Sequence, residues 1–166
     1  MSGWTQCYIG LGSNLGDSTQ TLGAAVNALI NSSDIRNFEA SSHYQSKPHG
    51  PQDQPDYINA VVGFETQLAA EPLLDLLQSI ETRYGRTRTG ERWSARTLDL
   101  DILLFGDQNI DTIRLQVPHP WMKQREFVLY PLFELAPELL FPDGSALKDN
   151  LASVSDENLI RLTRQS

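Results

Sequence analysis

YGRTRTGERWSARTLDLDILLF, residues Tyr84 to Phe105, is the stretch from which the rest of this chain is read. Its second half alternates. As a strand, Leu98 to Phe105 points Leu98, Leu100, Ile102 and Leu104 one way, and Asp99, Asp101, Leu103 and Phe105 the other. The two carboxylates then share a face, roughly 6–7 Å apart at about 3.3 Å of rise per residue. Two anions at that spacing repel each other unless a cation lies between them. Magnesium takes oxygen ligands, often one or two carboxylates together with substrate phosphates, and two metals held together neutralise a phosphoryl group in transfer. A lone D-x-D in a strand is more simply a solvent-facing edge. The first half of the stretch reverses that preference. Five of the 13 cations, Arg83, Arg86, Arg88, Arg92 and Arg96, fall within fourteen residues that hold one acid, Glu91. In a chain of net charge −8 that concentration points to a local anion site.

Working outward, Leu73, Leu76, Leu77 and Ile80 form the stripe of a helix that starts near Ala70 and that Gly85 stops. Glu71 and Pro72 suit its first turn. Before it, Tyr57 to Thr66 alternates as a strand, with Ile58, Ala60, Val62 and Phe64 on one face and Tyr57, Asn59 and Val61 on the other. Gln45 to Asp56, rich in Pro, Gly, Gln and Asp, reads as a loop. Ile35 to Tyr44 reads as one strand, with Phe38, Ala40 and Tyr44 sharing a face. Leu22, Ala25, Val26, Leu29 and Ile30 predict a helix from about Leu15 to Asn31. Thr5 to Leu11 is a first strand, followed by the turn Gly12-Ser13-Asn14, and Gly10, Gly12 and Gly16 read as permitting a tight strand-to-helix turn.

The order strand, helix, strand, strand, helix, strand is the ferredoxin-like βαββαβ arrangement. The expected class is α+β, with both helices on one face of a four-stranded antiparallel sheet. Tyr57, Asn59, Asp99 and Asp101 then share the other face, or a cleft built over it. Downstream, Ile110, Ile113, Leu115 and Val117 suggest short extra strands. Val117-Pro118-His119-Pro120 breaks the pattern, Lys123 to Ala136 predicts a helix interrupted near Pro131, and the tail after Leu147 predicts a short amphipathic helix. With no internal repeat and no linker, one domain spanning residues 1–166 is expected.

The totals exclude several classes. An excess of 21 acids over 13 bases argues against nucleic acid or an anionic membrane surface as the main partner. One cysteine, Cys7, permits no intrachain disulfide and suits a reducing compartment. No stretch is a signal sequence or a membrane span, so a cytoplasmic protein is expected. Gly10, Gly12 and Gly16 are spaced GxGxxxG, which is not a dinucleotide fingerprint, and GxxxxGK[ST] is absent. A nucleotide here must be held by side chains. Tyr57 and Phe127 can sandwich a flat heterocycle while Asn59 offers a donor and an acceptor to its edge. His119, fixed between prolines, with Arg114 and Arg125 near in sequence, suits a phosphate contact. His43 and His49 lack partners at metal-ligand spacing. A sensor that binds a nucleotide or pterin without catalysis, and a metal-dependent glycosyl or nucleotidyl transferase, are the competing readings. The first does not need the Asp pair; the second does not explain Tyr57, Asn59 and Phe127 together.

GSNLGD (Gly12–Asp17), GPQDQPDYINA (Gly50–Ala60), RWSARTLDLDILLFGD (Arg92–Asp107) and VPHPWMKQREFVLYPLFELAPE (Val117–Glu138) resemble the hydroxymethyl-dihydropterin pyrophosphokinase family of folate biosynthesis. The resemblance runs to about Gly144, and R-x-x-R-T-L-D-L-D-I is its most specific part. It implies transfer of pyrophosphate from ATP to the hydroxymethyl group of 6-hydroxymethyl-7,8-dihydropterin, releasing AMP. It implies that Asp99 and Asp101 bind two Mg2+ ions, with Arg86 and Arg96 in the catalytic set. Gln78, Glu81, Arg88, Trp93, Arg96, Ile102, Arg114, His119 and Arg125 would contact the nucleotide. Ser46, Lys47, His49, Tyr57, Asn59, Trp93 and Phe127 would form the pterin pocket. Lys47, His49, Gln116 and Pro120 depart from members of the family that carry Pro, Leu, Thr and Tyr at those positions. The expected partners are these small molecules alone, with the chain acting as a monomer.

Overall fold

β1 (Thr5–Ser13) is the axis of the sheet. It pairs antiparallel with β4 (Tyr57–Thr66) along nine residues and, on its other side, with β5 (Asp99–Phe105). β2 (Ile35–Ala40) and β3 (Tyr44–Ser46) both pair with β4, and β8 (Leu159–Arg161) pairs with β3. The result is a six-stranded sheet, antiparallel at every pairing, in a mixed α/β architecture. A small separate ribbon joins β6 (Ile110–Asp111) to β7 (Gln116–Val117). The computed structural model describes residues 3–13, 18–46, 56–85, 98–157 and 159–162.

The sheet is covered on both faces. Cys7, Ile9 and Leu11 of β1 and Val62 and Phe64 of β4 are buried with Leu22, Ala25 and Leu29 of α1 (Ser18–Ile30) and with Leu73, Leu77 and Ile80 of α2 (Ala70–Gly85). On the opposite face Val61, Leu103 and Leu104 pack with Val128, Leu129 and Leu132 of α3 (Glu126–Leu135) and with Leu147 of α4 (Leu147–Leu151). Each cluster follows from period-2 alternation in the strands meeting a helical stripe. Close packing on the second face also fixes Gly63: a Cβ there would lie 2.8 Å from the Tyr8 ring. Among the described residues no helix is long and apolar enough to cross a membrane.

Several expectations need correction. The strand expected over Ile35–Tyr44 is two strands, and Gln45 and Ser46 belong to β3 rather than to a loop. Tyr44 does not share the face of Phe38 and Ala40. Those two pack with the α1–α2 core, whereas the Tyr44 hydroxyl donates to Glu134 on α3 at 2.8 Å. β5 carries a bulge: Tyr8 pairs with Leu104 and Ile9 with Ile102, so Leu103 is the extra residue. Leu104 therefore turns to the α3 face and Phe105 to the α1–α2 face, the reverse of simple alternation. The helix expected over Lys123–Ala136 divides into a 3-10 turn, Met122–Gln124, and α3, which runs through Pro131. That proline costs α3 one bond near its first turn, and its ring is buried. Among the described residues the tail holds a five-residue helix, α4, followed by β8, which the sheet edge at β3 recruits. Gly10 and Gly12 lie within β1 rather than in a turn.

Candidate active site

Two clefts adjoin at the end of the sheet where β1 finishes and β4 and β5 begin. The first has a volume of about 460 Å³. Gly10, Leu11 and Gly12 line it from β1, Ser46 from β3, Tyr57 and Asn59 from β4, Asp99 and Asp101 from β5, and Arg125 and Phe127 from the start of α3. Ring faces and one amide dominate this wall. The second, about 400 Å³, lies between α2 and the β6–β7 ribbon and is lined by Gln78, Glu81, Ile102, Arg114 and Gln116 among others. Asp101 and His119 line both clefts.

The first cleft is shaped by one amide. Asn59 is buried, and its Nδ2 donates to Ser46 Oγ at 2.8 Å. Ser46 lies opposite Tyr57, and Tyr44 opposite Asn59, in the β3–β4 register, so these four residues share a face. A Cβ on Gly12 would come within 3.1 Å of Asn59 Oδ1. The glycine thus leaves room for that carbonyl. At the mouth, the Arg125 guanidinium lies over the Phe127 ring, 5.6 Å from its centroid. Ser46, Tyr57, Asn59 and Phe127 therefore line one cleft.

Asp99 and Asp101 are exposed on β5, on either side of buried Leu100. Because β5 is an edge strand, its outward amides need other partners. Glu81 supplies one: the Leu100 N–H donates to Glu81 Oε2 at 2.8 Å. Glu81, expected among the nucleotide contacts, thus fixes the backbone between the two carboxylates. His119 is anchored to the same strand, its N–H donating to the Leu103 carbonyl at 3.1 Å. The Trp121 N–H donates to His119 Nδ1 at 3.3 Å. A ring that accepts at Nδ1 carries its proton at Nε2 when neutral. Burial holds the His119 pKa below its ordinary value; Arg125 adds to that effect and the charge of Asp101 opposes it.

Arg114 is engaged by α2. It donates to Asp75 at 2.6 Å and, at 3.5 Å, to Glu71 and to Gln78. Bonding to Asp75 pushes its pKa up. Arg114, expected among the nucleotide contacts, lines the second cleft, and two acids share its charge. Ile102 lines that cleft too. Arg86, Arg88, Trp93, Arg96, Lys47 and His49 lie outside the described residues. Sequence reasoning missed Gly10, Leu11, Trp121 and Gln124, all of which line the first cleft. Trp121 follows the VPHP segment and is 56% exposed, a signal that sequence alone does not carry.

A family profile for 7,8-dihydro-6-hydroxymethylpterin-pyrophosphokinase (HPPK) matches residues 8–137. The 2-amino-4-hydroxy-6-hydroxymethyldihydropteridine pyrophosphokinase of Haemophilus influenzae is 48% identical over 155 residues, covering 93% of this chain and 96% of that one. The Bacillus subtilis protein of the same name is 40% identical over 158 residues, covering 95% of this chain and 90% of its own. Among solved structures, the wild-type Plasmodium falciparum HPPK-DHPS with pteroate superposes with a TM-score of 0.74 at 14% identity, over 95% of this chain. That likeness speaks for the fold alone, and this chain spans 48% of the length of the Plasmodium chain. Identity sustained over nearly the whole of two bacterial proteins, together with the profile match, establishes that this chain belongs to the 7,8-dihydro-6-hydroxymethylpterin-pyrophosphokinase family.

Proposed function

We propose that the two clefts divide a two-substrate reaction between them. The reaction is that of the family: pyrophosphate passes from ATP to the hydroxymethyl group of 6-hydroxymethyl-7,8-dihydropterin, giving AMP and the pterin diphosphate in folate biosynthesis. The pterin enters the first cleft, where Tyr57 and Phe127 offer ring faces and Asn59, oriented by Ser46, meets its polar edge. ATP enters the second, beside Gln78, Ile102 and Arg114. The observation that carries this assignment is that Asp101 and His119 line both clefts. The hydroxymethyl oxygen then meets the β-phosphorus at their junction. A bond forms between the two, the hydroxyl proton passes to solvent, the bond from the β-phosphorus to the oxygen bridging it to the α-phosphate breaks, and AMP leaves with that oxygen.

Asp99 and Asp101 fit Mg2+ chemically. They supply hard oxygen donors from alternate positions of one strand and leave the remaining coordination to phosphate and water. Among the described residues no group of three or more acids, histidines and cysteines forms a site made of protein alone. Bound there, two ions would neutralise the charge of the triphosphate. The chain's own part is alignment. Glu81 fixes the strand between the carboxylates, His119 presents Nε2–H to a phosphate oxygen, and Arg125 adds positive charge at the cleft mouth. Arg86, Arg88, Arg96 and Trp93, with Lys47 and His49, complete the set expected from the family resemblance.

The reading extends to a ferredoxin-like core. Its support is the order β5-β1-β4-β2 with α1 and α2 packed on one face. It further takes residues 1–166 as one pyrophosphokinase domain, acting as a monomer in the cytoplasm. The test is AMP release from ATP and Mg2+, with and without the pterin. Pterin-dependent AMP formation that is lost in Asp101→Ala supports the assignment. ADP as product, or turnover undiminished in Asp101→Ala, refutes it.

A further inference from the structure

β3 is three residues long, yet it carries Ser46, the hydroxyl that orients Asn59. A strand so short, paired on one side only, is a weak support for a binding residue. β8 removes that weakness. It pairs with the free edge of β3, placing Arg161 opposite Tyr44, Ile160 opposite Gln45 and Leu159 opposite Ser46, and the Leu162 N–H donates to the His43 carbonyl at 2.8 Å.

The pairing ends in a polar latch. Arg161 Nε donates to Ser42 Oγ at 3.2 Å, and its guanidinium lies 3.5 Å from Glu134 on α3. The same Glu134 carboxylate accepts from the Ser42 amide at 3.0 and 3.1 Å, from the Ser42 hydroxyl at 3.1 Å and from the Tyr44 hydroxyl at 2.8 Å. β8 itself adds nothing to either apolar core: none of its residues belongs to one, and Ile160 is 60% exposed. It also lies outside residues 8–137, the span of the family match.

We propose that β8 is a positioning element for the ring-binding cleft, holding β3 against β4 and α3 through the Arg161–Ser42–Glu134 latch so that Ser46 keeps Asn59 aimed. This rests on the assignment of the pterin to the first cleft. Arg161, Ser42 and Glu134 touch no substrate; they act through β3.

Steady-state kinetics of Arg161→Ala and Ser42→Ala, with Asn59→Ala as reference and thermal unfolding in parallel, test the proposal. Ser42→Ala removes the hydroxyl that joins Arg161 to Glu134 while leaving the strand sequence and the Ser42 amide bonds intact, so the test survives if Arg161→Ala fails to fold. The KM for pterin should rise about tenfold in each latch variant, as for a small misplacement of a binding group, with the KM for ATP within about twofold of the parent. Arg161→Lys should recover part of the loss. If Asn59→Ala raises the pterin KM and both latch variants keep the parent value, losing only thermal stability, β8 is a structural strap and the proposal falls alone. If Asn59→Ala is also unaffected, the cleft assignment fails and takes this proposal with it.

Discussion

Gly12→Ala should separate binding from stability. A Cβ at this position would sit 3.1 Å from Asn59 Oδ1, tighter than ordinary contact, and no other atom of the described residues beyond its chain neighbours lies within 4 Å. The Gly12 backbone is outside the left-handed region, so alanine meets no conformational penalty. The amide can yield only by straining its 2.8 Å bond to Ser46 Oγ. Losing that bond costs about 0.5–1.5 kcal/mol. Replacing glycine at a permissive position returns about 0.4–1 kcal/mol through the unfolded chain. The two nearly cancel, so the melting temperature should move by only a few degrees. Ring binding has no such compensation. Crowding a fitted pocket costs about 1–3 kcal/mol, and at about 1.4 kcal/mol per factor of ten this is roughly a 5- to 140-fold weaker Kd. Calorimetric titration with the pterin, and separately with a non-hydrolysable ATP analogue, reads the effect; only the first should change. Gly23→Ala is the control, since a Cβ on that α1 glycine meets nothing within 4 Å. A pterin Kd within twofold of the parent in Gly12→Ala would refute the claim that the ring lies against Asn59.

Further expectations concern the carboxylates and the latch. Asp101→Asn removes an exposed charge from an edge strand, so unfolding should be unchanged while AMP formation falls at least about a hundredfold; a loss of stability matching the loss of rate would argue against a catalytic role, and Asp99→Asn should lower AMP formation as far. Glu81→Ala strips the partner from the Leu100 amide and should lower stability by about 1–2 kcal/mol in urea unfolding, with the Mg2+ dependence of turnover shifted as well. Burial works against the Glu134 charge, but the bonds from Tyr44 and Ser42 and the charge of Arg161 outweigh it and hold its pKa below the ordinary value. Its folded-state pKa being depressed, the stability it supplies is full above the ordinary glutamate range and is lost as pH falls through the folded value. Glu134→Gln should therefore show a shallower acid limb in stability against pH. Burial and the Glu134 bond raise Tyr44 to about 12, so its contribution is full below its ordinary value and fades as pH rises towards 12. Tyr44→Phe should abolish that alkaline loss.

What could be read from the sequence was whatever rests on periodicity. β1, β4 and α2 fall close to their expected spans because one face of each is buried over several turns or pleats, which writes a strong pattern. The grouping of Tyr57 and Asn59 with Asp99 and Asp101 followed from the same alternation, since β4 and β5 flank β1 in register. Short elements could not be read. β3 and β8 have three residues each, too few to show a period, and what fixes them is a carboxylate 90 positions away from its tyrosine partner in the chain. The glycines of β1 were misread for a related reason. GxG after an apolar run is a turn signal locally, whereas here the missing side chain at Gly12 makes room on the sheet for Asn59.

The bulge at Leu103 shows how a local break in pattern builds a site. With strict alternation Leu104 would join Leu100 and Ile102 against α1 and α2, and Leu103 and Phe105 would share the α3 face with the two carboxylates. The extra residue instead places Leu103 and Leu104 together in the α3 core, while Asp99 and Asp101 remain exposed one step upstream. One strand thus changes within three residues from a polar wall to an apolar anchor. The bulged residue also engages the segment that carries the histidine: the Leu103 carbonyl accepts the His119 N–H. His119 is thereby tied to the strand two residues beyond Asp101, and both come to line both clefts. The anchor that fixes α3, and with it Phe127, is therefore the same feature that brings His119 to Asp101. Deleting Leu103 would keep Ile102 opposite Ile9 and Leu104 opposite Tyr8, so Asp99 and Asp101 would hold their face while the carbonyl that accepts the His119 N–H would be lost. The irregularity in LDLDILLF thus sets two consecutive leucines into the second core directly downstream of the two exposed carboxylates.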